Sequence, residues 1–226
     1  MSRKIILLKT GSTHPVIRQR FGDFEDWFMR AWTDCEVNLI NAVTTESLPS
    51  LQGNEGVVIT GSPAMVTDQE PWSEQLALWL AQEAHNRVPI LGVCYGHQLL
   101  AQALGGSVHW HPQGREIGCV DITLESAARQ DPLLGILPAT FKAQVTHAQS
   151  VKTLPPDAVL LAHNDFEPHH AFRVGASTWG VQFHPEFSTD IMRAYIEETH
   201  ANADLLTGVQ DADAGSNLLE RFLALL

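Results

Sequence analysis

Basic residues are scarce in this chain of 226 residues: 14 Lys and Arg stand against 26 Asp and Glu, a formal net charge of −12. A sequence-independent grip on nucleic acid needs clustered Lys and Arg to neutralise phosphates, so no nucleic acid is expected as a partner. The same deficit disfavours an anionic membrane surface. Cysteine is scarce too. Cys35, Cys94 and Cys119 cannot all pair with one another and show no CxxC spacing, which argues against a disulfide framework or a zinc ribbon. No run approaches the roughly 18 apolar residues of a membrane span. The N-terminal apolar run stops at Lys9, too early for the core of a signal peptide and its cleavage site. Neither a P-loop nor a GxGxxG fingerprint is found, and no repeat or low-complexity linker interrupts the chain. These absences leave an acidic protein expected in a reducing cytoplasm, as one domain over 1–226 with a helical extension from about 203.

What is there is a regular alternation. Apolar residues make up 44% of the chain and charged residues 18%, enough for a packed core. Short runs rich in β-branched residues, Lys4–Leu8, Glu36–Ile40, Gly56–Thr60 and Pro89–Val93, alternate with helical patterns over Arg18–Trp32, Trp72–Asn86 and Tyr95–Leu104. Continuous apolar strands between helices predict a parallel sheet covered on both faces. The second half changes character. Ser107–Trp110, Glu116–Leu124, Phe141–Thr146, Ala158–Ala162, Ala171–Val174 and Thr178–Phe183 are short runs separated by turn residues, which predicts added antiparallel strands. Ser188 is placed to cap a helix reaching about Asn202, and Asn217–Leu226 predicts a final one.

One stretch carries chemistry more plainly than any other. A buried strand runs directly into Gly92-Val93-Cys94-Tyr95-Gly96, and a helix begins at once. A nucleophile on a sharp strand-to-helix turn needs small neighbours, and Gly92 and Gly96 supply them. Such a turn sets the sulfur above the carboxyl ends of the strands, where open α/β sheets bind ligands, and a helix N-terminus favours negative charge there. A thiol nucleophile calls for a base held by a third group. A second strand end offers both: His184, then Pro185, which stops the strand, then Glu186, which is placed to turn back and fix the imidazole tautomer. Cys35 and Cys119 lack such a setting and read as structural.

GVCYGHQ at 92–98, HPE at 184–186 and TGSP at 60–63 together resemble the class I glutamine amidotransferase domain, and most closely its stand-alone members similar to the glutaminase part of GMP synthase. The resemblance spans about Lys4 to Asn202. It implies a flavodoxin-like α/β three-layer sandwich whose central, mostly parallel sheet carries added antiparallel strands. It also implies that Cys94 attacks the side-chain amide of glutamine, that His184 exchanges protons with the thiol and the leaving ammonia, and that Glu186 orients His184. An oxyanion hole is implied at the Tyr95 N–H and in the loop after GVVIT. That loop reads Gly61-Ser62-Pro63 where the family usually has two glycines before the proline, so the second donor falls to Ser62. Gln98 stands where the family touches bound glutamine. Thr146, Ala148 and Gln149 belong to a segment resembling the loop that holds the substrate's amino-acid end, with Ala148 where glycine is common. His147 in that segment is assigned no role beyond structure.

No cofactor is implied. The histidine pairs His109/His111 and His169-His170 lack carboxylates at ligand spacing, so no metal is expected. Asp68, Glu70 and Glu74 read as a solvated loop and helix start, and Trp27, Trp32, Trp72 and Trp79 as core or interface aromatics. Three functions remain open. One is a glutaminase feeding ammonia to a separate synthetase subunit. The second is a γ-glutamyl peptide hydrolase using the same three residues, and the third a regulatory protein that keeps the fold without catalysis. The apolar ending Phe222–Leu226 suits packing on the core or on a second copy in a homodimer.

Overall fold

In the computed structural model residues 3–226 are described, Asp213 by its backbone alone. The apolar runs of the first half become strands β1 (Lys4–Lys9), β2 (Glu36–Asn41), β3 (Glu55–Ile59) and β4 (Ile90–Val93). Those of the second half become β5 (Ser107–Trp110), β6 (Glu116–Leu124), β7 (Thr140–His147), β8 (Gln149–Thr153), β9 (Val159–His163), β10 (Ala171–Val174) and β11 (Thr178–Val181). The main sheet has the order β2-β1-β3-β4-β11-β10-β9-β6-β7. From β2 to β11 all neighbours are parallel, and from β11 to β7 all are antiparallel. A parallel core extended by antiparallel strands is the expected architecture. β5 and β8 form a separate two-stranded sheet.

Burial on both faces accounts for the near-continuous apolar strands. Along β1, Ile5 and Leu7 enter one core and Ile6 and Leu8 the other. Helices α3 (Pro71–His85) and α4 (Tyr95–Ala103) cover the second face with Leu76, Leu80, Leu99 and Leu100. The first face is covered by Phe28 of α2 (Phe24–Arg30) and by Leu218, Leu219 and Phe222 of α7 (Asp213–Ala224). Each such side chain, fully buried, contributes about 1.5–3 kcal/mol. Helices α1 (Pro15–Phe21) and α5 (Thr189–Glu198) meet in a third cluster through Ile17, Ile191 and Met192. As expected, Ser188 caps α5, its hydroxyl accepting from the Ile191 N–H at 3.3 Å. A short α6 (Leu205–Gly208) follows, and α7 starts four residues earlier than the pattern at Asn217 implied.

Three expectations need correction. The helix expected over Arg18–Trp32 is two helices, broken where Gly22 adopts φ 88° and Asp23 opens α2 with a capping box to Asp26. A capping aspartate competes with helix continuation by satisfying the first free N–H groups itself. The segment Thr146–Val151, expected as a loop, is the end of β7 and the start of β8 with Ala148 alone between them. β11 stops at Val181 rather than Phe183, although the His184 N–H still donates to the Gln144 carbonyl at 2.8 Å.

Asp131 ties its own turn, between β6 and β7, to strands β10 and β11. Its buried carboxylate accepts from the Leu133 and Leu134 N–H groups, both at 2.9 Å, from Trp179 Nε1 at 3.1 Å and from Arg173 Nε at 2.8 Å.

Candidate active site

β4 and β11 are neighbouring parallel strands with Gly92 opposite Gly180 and Val93 opposite Val181. Their carboxyl ends lie side by side, and each releases one candidate residue: Cys94 directly after β4, His184 three residues after β11. The Cys94 N–H donates to the Val181 carbonyl at 2.9 Å, which fixes the turn to the neighbouring strand.

Cys94 has φ 52° and ψ −102°, a positive φ carried by a side-chain-bearing residue. Such a conformation costs on the order of 1–3 kcal/mol and persists only where its surroundings enforce it. The flanking glycines answer a different need from the one their position implied. Neither has a positive φ. A Cβ at Gly92 would stand 2.4 Å from the Gly96 carbonyl oxygen, and one at Gly96 would stand 2.8 Å from that of Ile59. They let strand, helix and neighbouring strand approach, and that approach forces the strained turn onto Cys94.

His184 and Glu186 are joined as expected. His184 Nδ1 donates to Glu186 Oε1 at 2.8 Å, and the imidazole stacks on Phe187 with ring centroids 4.0 Å apart. His184 is buried, which by itself pushes its pKa down, but the Glu186 carboxylate and then the Cys94 sulfur reverse this and push it up to about 10. Both neighbours thus favour the protonated ring. Cys94 Sγ lies 3.7 Å from the Thr146 carbonyl oxygen. A Cβ placed on Gly61 would lie 3.0 Å from His184 Cε1 and 3.7 Å from Cys94 Cβ, so the Gly61 loop closes over both.

Cys94 and His184 open on a cavity of about 210 Å³, with Glu186 behind the imidazole and outside the lining. Of the residues expected to serve substrate or oxyanion, Ser62, Tyr95, Gln98, Thr146, Ala148 and Gln149 all line it, and Gly61 borders it. Ser62 is not among the residues with positive φ, so its departure from glycine causes no backbone conflict; its hydroxyl donates to the Thr10 carbonyl at 2.6 Å. The Tyr95 N–H, at the first position of α4, is one of the amides that a helix leaves without an internal partner. Gln98 is held by its amide nitrogen, which donates to the Gln149 carbonyl at 2.8 Å and to Gln182 Oε1 at 2.9 Å.

The cavity also recruits residues that no sequence signal marked. Arg115 lines it and donates from Nη1 to Thr146 Oγ1 at 3.3 Å. Thr13 and Tyr195, whose hydroxyls lie 2.5 Å apart, come from the loop before α1 and from α5. His147, which the sequence marks only as structural, lines it as well. Among the described residues Arg115 is the one Lys or Arg in the lining, and no Asp or Glu belongs to it.

The histidine pairs set aside in the sequence go elsewhere. His111 stacks on Phe166 and donates to its carbonyl at 2.9 Å, and His169 Nδ1 lies 2.7 Å from the Val151 carbonyl. Among the described residues no group of three or more His, Cys, Asp or Glu side chains is arranged to hold a metal ion. None of the described helices is long and apolar enough to cross a membrane.

Comparison with known proteins gives a consistent picture. The family model described as glutamine amidotransferase class-I matches residues 25–201. A GMP synthase (glutamine-hydrolyzing) of Porphyromonas gingivalis is 33% identical over 188 residues, 82% of this chain and 33% of that protein. The chain thus spans about a third of the length of that relative. A protein of Halobacterium salinarum, named as one subunit of GMP synthase (glutamine-hydrolyzing), is 30% identical over 175 residues, covering 77% of this chain and 89% of the relative. Among solved structures, a glutamine amido transferase from Methylobacillus flagellatus superimposes with a TM-score of 0.78 at 20% identity, covering 99% of this chain and 94% of that one.

Proposed function

The chain belongs to the class I glutamine amidotransferase family, and from that premise we propose that it hydrolyses the side-chain amide of glutamine through a thioester on Cys94. The observation that carries this reading is the geometry: Cys94 and His184 leave adjoining parallel strands, line one cavity, and His184 is bonded to Glu186 at 2.8 Å. A protonated imidazole beside the sulfur balances a thiolate and is already equipped to act as the acid.

The Cys94 thiolate attacks the amide carbon, forming a C–S bond, and the carbonyl π pair moves onto oxygen. The Tyr95 and Ser62 N–H groups stabilise that oxyanion; such preorganised donors are each worth about 3–4 kcal/mol. The oxyanion collapses, the C–N bond breaks, and His184 Nε2 gives its proton to the departing nitrogen, releasing ammonia. Water then attacks the thioester while His184 takes its proton, the C–S bond breaks, and glutamate leaves with the thiolate restored. Glu186 stays ionised throughout and holds the ring in one orientation. Gln98 touches the bound glutamine, and Thr146, Ala148 and Gln149 hold its amino-acid end. By analogy with the relative named as one subunit of a synthase, the ammonia is passed to a separate synthetase.

The test is glutamate and ammonia release by the purified chain from L-glutamine and from γ-glutamyl dipeptides, beside Cys94→Ala. Loss of about 10³-fold or more in the variant, with an unchanged melting temperature, is expected. Activity retained in Cys94→Ala overturns the assignment, and a preference for the dipeptides makes the chain a γ-glutamyl peptide hydrolase.

A further inference from the structure

Behind the Thr146–Gln149 wall of the cavity lies a buried polar cluster that the proposed reaction does not use. His147 ends β7 and Glu116 begins the neighbouring strand β6; they are directly opposite in register, and 3% and 7% exposed. His147 Nε2 lies 2.8 Å from Glu116 Oε2, and its Nδ1 lies 3.0 Å from the Gln149 carbonyl oxygen. Asn164 Nδ2 donates to the other Glu116 oxygen at 2.8 Å, and His170 Nε2 stands 3.4 Å from Oε2. Burial pushes the Glu116 carboxyl up, but the His147 and His170 rings more than offset this and hold it well below the usual carboxylate range.

A carbonyl oxygen and an ionised carboxylate accept hydrogen bonds and donate none. With an acceptor at each ring nitrogen, His147 bridges the Gln149 carbonyl and the Glu116 carboxylate. The carbonyl that it grips is the one that also receives Gln98 Nε2. With its amide nitrogen used by Gln149 and Gln182, Gln98 has Oε1 left to offer a ligand. On its other side His147 is bonded to Thr146, whose carbonyl faces the Cys94 sulfur at 3.7 Å.

We propose that His147, anchored on the Glu116 carboxylate, is a positioning residue for substrate: by holding the Gln149 carbonyl it fixes Gln98 and the one-residue turn at Ala148 that forms the cavity wall. This rests on the glutaminase reading for its kinetic consequence. It sharpens the role of a histidine that the sequence left as mere structure.

Two substitutions separate the two hydrogen bonds. The amide nitrogen of Asn falls near the position of Nδ1, so His147→Asn keeps a donor for the Gln149 carbonyl and gives up Glu116. The amide nitrogen of Gln falls near Nε2, so His147→Gln keeps Glu116 and releases the carbonyl. With L-glutamine as substrate, His147→Gln is expected to raise KM about tenfold, the scale of one lost hydrogen bond, with kcat within threefold of the parent. His147→Asn, which keeps the carbonyl but loses its anchor on Glu116, is expected to raise KM less, about threefold, with kcat again preserved. Equal KM for the two variants, or equal loss of kcat and of iodoacetamide-titratable Cys94 in both, overturns the proposal, because a ring that only fills space would not tell them apart. If His147→Gln does not fold, Glu116→Gln carries the test: KM must rise with kcat preserved, and an unchanged KM is fatal. Should the parent chain hydrolyse no γ-glutamyl amide, the glutaminase reading fails on its own. The positioning role is then read by hydrogen exchange across 146–149, which must be faster in His147→Gln than in His147→Asn.

Discussion

Gly215, in the first turn of α7, lies so close to Pro185 that a Cβ on it would stand 2.6 Å from the Pro185 carbonyl oxygen and 2.8 Å from its Cα. The C-terminal helix therefore touches the backbone between His184 and Glu186. A glycine within a helix ordinarily gains about 1 kcal/mol of stability on replacement by alanine. At Gly215 the sign reverses, because backbone rather than a flexible side chain is in the way. Gly215→Ala is expected to destabilise by about 1–3 kcal/mol in urea unfolding, and Gly215→Val to lower kcat at least tenfold by displacing the His184–Glu186 pair. A stabilised Gly215→Ala would contradict this.

The buried imidazole of His184 makes stability depend on alkaline pH. Its folded pKa of about 10 lies above the ordinary value of 6.5. The stabilisation is thus complete below pH 6.5 and is lost as pH rises through 10. Urea midpoints measured from pH 6.5 to 10 are expected to fall. Glu186→Gln removes the carboxylate that raises the pKa, so it should flatten this decline and reduce kcat by at least about 10². An unchanged slope in the variant would mean that another group titrates.

His97 works in the opposite direction. It is fully buried against Phe172, and desolvation holds its pKa well below 6.5. The unfolded chain takes up a proton below pH 6.5 that the folded chain refuses, so stability falls as pH drops through that range. His97→Leu, similar in volume and without a proton to bind, is expected to shift the acid unfolding midpoint downward. Circular dichroism between pH 7 and 4 reads this directly.

Asp131 is the carboxylate whose removal should cost most without touching the reaction. It serves two backbone N–H groups, Trp179 and Arg173. Asp131→Ala leaves these donors buried or unpaired and is expected to destabilise by about 3–5 kcal/mol. At temperatures well below its melting point the variant should keep the parent kcat; a loss there would give Asp131 a role in the site.

The turn at Cys94 and the His184–Glu186 strand exit are legible in the sequence because both are local. A strand, two glycines and a helix, or a strand, a proline and a carboxylate, lie within seven residues of one another. What stayed hidden depends on approach between distant segments. Arg115 and Tyr195 reach the cavity from β6's leading turn and from α5, with no periodicity to mark them. His147 is one histidine among 11, and only the strand register across from Glu116 gives it a partner. The purpose of Gly92 was legible as smallness but not as closeness to Gly96, since a sequence shows which atoms are missing and not what occupies their place. The break at Gly22 is masked in the sequence because apolar spacing continues across it, while the Asp23–Asp26 capping box competes locally and wins.

The Gly92–Gly180 and Val93–Val181 pairings have a consequence for how this site changes over time. The distance between sulfur and imidazole is set by a hydrogen-bonded ladder, whereas Ser62, Arg115, Ala148 and Tyr195 come from loops and outer elements around it. Exchange of those peripheral segments alters what the cavity admits and leaves the reacting pair in register. A directed library confined to them is therefore the economical way to retarget the cavity, with the two central strands kept unchanged.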